Sequence, residues 1–251
     1  CKLVAQSPAL EKEFAKQRTE YLALCKELVN KWEKRGCYKD FGLGGSIYTL
    51  GYGYTTPKAG LSPNFEKTSI MCEGLLNLYL ATGDTTYLKK AISLGTMLKR
   101  CLKLKDDAYW WNTWEPLGEW DIKPGEPGKW NNWINAEPIA GWYQSTVKMV
   151  TQLYHMGLVF NETDMKRFVN TQTKKCWNGD MEKPEFFNSK GVKMTGRFKN
   201  GVFMAGTLAP LDASVAKFVY DGPIYAGKLK KKDSDWHNGP LSDDWITTKY
   251  L

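Results

Sequence analysis

The sequence predicts a mainly α-helical fold, built from antiparallel helix hairpins separated by long aromatic loops. Three observations predict it. Apolar residues recur at helical spacing over residues 8–35 and again over 66–104. A short Ala81-Thr82-Gly83-Asp84 stop divides the second stretch into two helices. A Trp-dense segment rich in Pro and Gly, 106–133, then interrupts all helical periodicity.

The first helix is expected from about residue 8 to 35. Ser7 offers a capping hydroxyl, Pro8 fits the first helical turn, and Gly36 suits the position after the last. Leu10, Phe14, Tyr21, Leu24, Cys25, Leu28, Val29 and Trp32 form its apolar side. Residues 39–63 change character: Gly and Tyr alternate, and a long loop with a short hairpin is expected. The Gly42-Leu-Gly-Gly-Ser stretch lacks the lysine and the strand-to-helix setting of a phosphate cradle.

Residues 66–104 are the most legible unit. Ile70, Met71, Leu75, Leu78 and Tyr79 mark one helix, and Tyr87, Leu88, Ala91, Ile92, Leu94, Leu98 and Leu102 the next. So short a connection implies an αα-hairpin. A helix opening at Asn135-Ala-Glu-Pro138 and closing at His155-Met156-Gly157 follows the Trp-rich stretch. A shorter one is expected from about Glu162 to Trp177, and a last from Leu208 to Tyr220. At 251 residues the chain reads as a single helical domain, 1–251, with an irregular tail from about 221.

The run Glu73-Gly-Leu-Leu-Asn-Leu-Tyr-Leu-Ala-Thr-Gly-Asp-Thr-Thr-Tyr-Leu-Lys-Lys-Ala91 resembles the inner-to-outer helix turn of (α/α) toroid glycan enzymes. These are the unsaturated glucuronyl hydrolases, the toroid polysaccharide lyases and the helical domain of uronyl epimerases. The resemblance covers 19 residues. It implies a partial toroid, since complete ones need a longer chain. It also implies an exported protein acting as hydrolase or lyase on an acidic polysaccharide.

The residues themselves suggest a compatible chemistry. Trp110, Trp111, Trp114, Trp120 and Trp130 alternate with acids and amides, among them Asn131 and Asn132. Indole faces stack on sugar C–H faces, while amides and carboxylates meet hydroxyls. The competing reading is a satellite core that orders a long loop. Glycoside hydrolysis needs two carboxyl groups, for which Glu115, Asp121 and Glu137 are the candidates. A lyase or epimerase needs a base, for which Tyr143 is the candidate. His155 lies twelve residues further on the same helix, on another face and about 18 Å along the axis, so the two form no dyad. A non-catalytic glycan-binding or assembly domain of a cell surface or particle is the alternative function.

Net charge is +8, which suits an acidic glycan partner. Charges among the Trp residues are mostly acidic, which argues against nucleic acid. No metal site or cofactor is expected: the six cysteines include no CxxC pair, and there are two histidines. Dispersed cysteines fit either export with at least one disulfide, Cys25 and Cys37 being the nearest local pair, or buried free thiols in a helical core. Asn161-Glu162-Thr163 is a glycosylation sequon, and a lipid anchor at Cys1 is compatible with a cell-surface location. No apolar run spans a bilayer.

Overall fold

The computed structural model describes residues 1–51, 58–195 and 205–221. The expected irregular tail, beyond Asp221, lies outside the described residues. The protein is mainly helical, as the sequence predicts. Among the described residues, seven α-helices run α1 (Lys2–Ala5), α2 (Pro8–Lys34), α3 (Phe65–Thr82), α4 (Thr85–Cys101), α5 (Gly141–His155), α6 (Glu162–Asn170) and α7 (Ala213–Asp221). Among the described residues, none is long and apolar enough to cross a membrane.

Among the described residues, three two-stranded antiparallel ribbons accompany the helices: β1 (Tyr38–Asp40) with β2 (Ser46–Tyr48), β3 (Lys103–Lys105) with β4 (Ala108–Trp110), and β5 (Ile122–Lys123) with β6 (Glu126–Trp130). The last two correct the expectation of an irregular stretch over 106–133. Their turns explain them. Lys123 pairs with Glu126 around Pro124-Gly125, with Gly125 at φ +73°, which suits a type II turn. Lys105 pairs with Ala108 around Asp106 and Asp107, both near φ +52°, the conformation of a type I′ hairpin. Neighbours hold that unusual pair: Lys175 bonds Asp106 at 2.7 Å, and Asn170 Nδ2 donates to the Asp107 carbonyl at 2.7 Å.

The chain divides into two compact units. Unit 1 comprises Cys1–Arg100 and Trp114–Trp133. Its core gathers Ile47, Leu75, Leu94, Met97 and Leu98 from β2, α3 and α4. A two-residue step, Gly83-Asp84, joins α3 to α4, and Cys72 Sγ lies 3.5 Å from the Ala91 carbonyl, so the helices lie side by side. The β1–β2 connection approaches α4 so closely that a Cβ on Gly45 would stand 2.5 Å from the Met97 nitrogen. Glycine is the one residue that fits there.

Unit 2 comprises Cys101–Thr113 and the described residues from Ile134 on. Its core is aromatic: Trp111 stacks on Tyr143 with centroids 5.5 Å apart and meets Phe168 edge-on at 5.6 Å. The expected helix start at Asn135 is displaced to Gly141. The cause is backbone pairing: Thr113 N donates to the Asn135 carbonyl and Glu137 N to the Trp111 carbonyl, which holds 135–137 extended. Helix α6 begins with a reciprocal cap. Asn161 Oδ1 accepts from Asp164 N, and Asp164 Oδ2 accepts from Asn161 N. A π-type turn over Thr171–Lys175 carries it nearly to the expected end.

Candidate functional site

The Trp-rich sequence builds two different settings, one in each unit. In unit 1 the organising group is Asp121, fully buried. Its carboxylate accepts from Ser62 N at 2.9 Å, Ser62 Oγ at 2.6 Å, Leu117 N at 2.8 Å and Gly118 N at 3.3 Å. Buried anions are tolerated when several donors meet them. Ser62 in turn serves two indoles: Trp114 N–H donates to its carbonyl and Trp120 N–H to its hydroxyl oxygen at 3.0 Å. One carboxylate therefore fixes a serine, and the serine fixes two tryptophans.

The two indoles end differently. Trp114 is buried with Leu50 and Leu61, with the Lys58 ammonium 4.9 Å from its ring centroid. Trp120 remains 36% exposed. Phe41 flanks its ring at 6.2 Å, and the Lys39 ammonium lies 5.6 Å from its centroid. Gly118 makes room for it, since a Cβ there would sit 2.4 Å from the indole carbons. Trp130 pairs with Ile122 across the β5–β6 ribbon and is likewise 36% exposed. Asn131 N donates to the Asp121 carbonyl at 2.8 Å and Asn131 Nδ2 to the Ile122 carbonyl at 3.2 Å, which seats Trp130 beside the Trp120 turn. Asn132 is buried, with no hydrogen-bond partner for its amide among the described residues. Glu115 is half-buried.

In unit 2, Trp111 is wholly buried, and its N–H has no partner among the described residues. Trp110 is half-buried, with the ammonium groups of Lys103 and Lys190 at 4.6 and 4.9 Å from its ring. Glu137 and Tyr143 share this interior, both fully buried. Burial drives the Tyr143 hydroxyl well above its usual range, with Cys176 and Glu137 adding to the shift. Burial and Glu137 likewise raise the Cys176 thiol. Burial thus favours the protonated form of both groups.

Of the four candidate catalytic residues, Glu115 and Asp121 thus belong to unit 1, and Glu137 and Tyr143 to unit 2. Asp121 is bound up in four hydrogen bonds. Of the candidate stacking residues, Trp111 and Trp114 are core, while Trp120 and Trp130 reach water. Trp133, which the list of stacking candidates leaves out, is 52% exposed. Ser62 was also missed. It lies about 60 residues from its partners, and a lone serine before Pro63 carries no motif. No two of the six cysteines are bridged: Cys37, Cys72 and Cys176 are buried thiols, Cys101 is half-buried, and Cys1 and Cys25 are exposed. The expected disulfide, including the Cys25–Cys37 pair, is absent from the structure. Comparison with known families, curated proteins and solved structures finds no match to this chain.

Proposed function

We propose that unit 1 carries a non-catalytic binding surface for an acidic glycan, centred on Trp120 and extended by Trp130. One observation carries this reading. The Trp120 ring is locked by its N–H bond to Ser62 and flanked by Phe41, yet more than a third of it faces water. A ring already held in place loses little rotamer freedom when a sugar stacks on it. Lys39 beside it, with the half-buried Lys123 of the neighbouring ribbon, supplies positive charge for uronate or sulfate groups.

The binding reading is preferred over hydrolase or lyase chemistry on the state of the carboxyl groups. The Asp121 carboxyl group is fully buried and already accepts from four donors, so it meets no substrate. Glu137 and Tyr143 have no exposure to a polymeric substrate. The toroid likeness of 73–91 belongs to the same proposal. Here α3 and α4 stand as one inner–outer helix pair of a partial ring, supported by the short Gly83-Asp84 step. The glycan would be met at the cell surface or in secretion.

The test is calorimetric titration with uronate oligosaccharides and with neutral ones of equal length, alongside assays for new reducing ends and unsaturated products. The acidic series binds the wild-type protein and no product accumulates. Trp120→Ala weakens binding at least about tenfold, ~1.4 kcal/mol, with the helical signal retained. Absence of binding in both series, or unchanged affinity in Trp120→Ala, rejects the reading.

A further inference from the structure

The turn Gly42-Leu-Gly-Gly45 joins β1 to β2 within unit 1. Its glycines let it lie directly on the second half of α4. Gly45 rests against the helix backbone at Ser93 and Met97. One turn further along α4, Gly44 meets Arg100. A Cβ on Gly44 would stand 2.7 Å from Nη1 and 3.6 Å from the guanidinium carbon. Two bonds hold this seat in shape: Gly45 N donates to the Gly42 carbonyl at 3.0 Å, and Gly42 N donates to Asp40 Oδ1 at 2.8 Å.

The Arg100 guanidinium is positioned without being used. It is exposed, and among the described residues it makes no hydrogen bond and no ion pair. A basic residue in a last turn commonly bonds the final helix carbonyls, and Arg100 makes no such bond. Nor does it pair with Asp40 or Glu119, the acidic neighbours of Phe41 and Trp120 in the chain. What lies beside it is the aromatic surface. Phe41 Cβ is 3.5 Å from the same Gly44 position, and the Phe41 ring is 6.2 Å from Trp120. Phe41 therefore connects Trp120 to Arg100.

The two cations at this surface differ in kind. Lys39 sits over the Trp120 ring and contributes a point charge. A guanidinium presents its N–H groups in a planar fork, which meets a carboxylate with two parallel charge-assisted bonds. A carboxylate is planar like the fork and more basic than a sulfate ester, so it accepts the stronger bonds. We infer that Arg100 is the specificity-determining residue of the Trp120 surface: it takes the carboxylate of a uronate, which makes the ligand a polyuronate in preference to a sulfated glycan. This rests on the glycan-binding reading of Trp120 and goes further by naming the acidic group and the residue that reads it.

The test is calorimetric titration of the full chain with galacturonate, glucuronate and mannuronate tetrasaccharides, with the carboxyl-reduced form of each, and with a sulfated neutral tetrasaccharide. The wild-type protein binds at least one uronate and binds its reduced form at least about tenfold more weakly, ~1.4 kcal/mol. Arg100→Gln abolishes that difference: uronate affinity falls to the level of the reduced form, which itself is unchanged. Arg100→Lys keeps the charge, loses the fork and restores only part of the difference. Gly44→Ala acts on the same contact from the other side. Gly44 is outside the left-handed region, so alanine brings no backbone strain, and its one close conflict is with the flexible end of Arg100. That variant keeps the wild-type melting temperature and loses uronate affinity severalfold. If no uronate binds, or if Trp120→Ala binds as wild type, the glycan-binding reading itself fails. If uronate binds through Trp120 but Arg100→Gln still discriminates it from the reduced form, the inference about Arg100 alone is overturned. Tighter binding of the sulfated sugar than of every uronate overturns it as well.

Discussion

Trp111 and Trp120 lie nine residues apart in one aromatic stretch and meet opposite fates. Trp111 is sealed among Tyr143 and Phe168, with its N–H unmatched among the described residues. Trp120 has its N–H bonded and much of its ring in water. An indole held by packing alone is a core residue. An indole held by its nitrogen can keep a face free for something else, as Trp120 does and the buried Trp114 does not. Aromatic density therefore says little about function until the polar end of each ring is located.

The contrast predicts its largest effect at Trp111. Trp111→Ala empties the centre of the unit 2 aromatic cluster and is expected to cost ~3–5 kcal/mol. Chemical denaturation measures it. A loss below about 1 kcal/mol would mean that Trp111 is no more structural than Trp120, and the comparison would collapse.

Asp121→Ala comes next. It leaves Leu117 N, Gly118 N and both Ser62 donors without their acceptor, and about 3 kcal/mol of stability should go with them. The expected signature is double: a lower melting temperature and faster quenching of Trp120 fluorescence by iodide, as its Ser62 anchor loosens. Were Asp121 a catalytic acid instead, the variant would keep its stability.

The longer helices were legible because apolar spacing and a stop such as Gly83 mark them locally, whereas the four-residue α1 carries no such signal. The β3–β4 and β5–β6 ribbons were half-legible. Pro124-Gly125 is a turn signal in plain view, but two- and three-residue strands are too short to show alternation. The role of Asp121 was not legible at all. A carboxylate between Trp120 and Ile122 looks the same in sequence whether it meets a sugar or Ser62, some 60 residues away. Glu137 shows the same limit. Its surroundings come from Tyr143 and Cys176, which are brought to it by the pairing of 135–137 with 111–113.

A pH series probes both interiors at once. Burial raises the folded-state values of Cys72 and Tyr48 in unit 1 and of Cys176 and Tyr143 in unit 2. A group that ionises more readily unfolded than folded stabilises fully below its unfolded value, and the stabilisation fades as pH rises toward the folded value. The ordinary values are 9.0 for the thiols and 10.0 for the phenols, so stability should hold to about pH 9 and then fall. Each such group contributes ~1.4 kcal/mol per pH unit once its unfolded form is ionised. Thermal melts from pH 7 to 11 follow this. Cys176→Ala should flatten the fall near pH 9 and Tyr143→Phe the fall above pH 10. A flat profile to pH 11 would place these side chains in water.

The smallest change asks whether Trp120 matters by its presence or by its position. Gly118→Ala adds one methyl group where a Cβ meets the Trp120 ring at 2.4 Å. The backbone at Gly118 is extended, φ −158°, so alanine brings no conformational strain and the nearest conflict is with the ring. The ring must swing away and release its bond to Ser62, at a cost of about 1 kcal/mol. It has room to move because one side is already open to solvent. Every aromatic residue is still present, yet the stacking face is no longer held. Calorimetry on Gly118→Ala should then show glycan affinity reduced nearly as far as in Trp120→Ala, with the loss appearing as a larger entropic penalty. Affinity equal to wild type would mean that the ring's fixed position contributes nothing, and the distinction between an indole held by its nitrogen and one held by packing would lose its functional meaning.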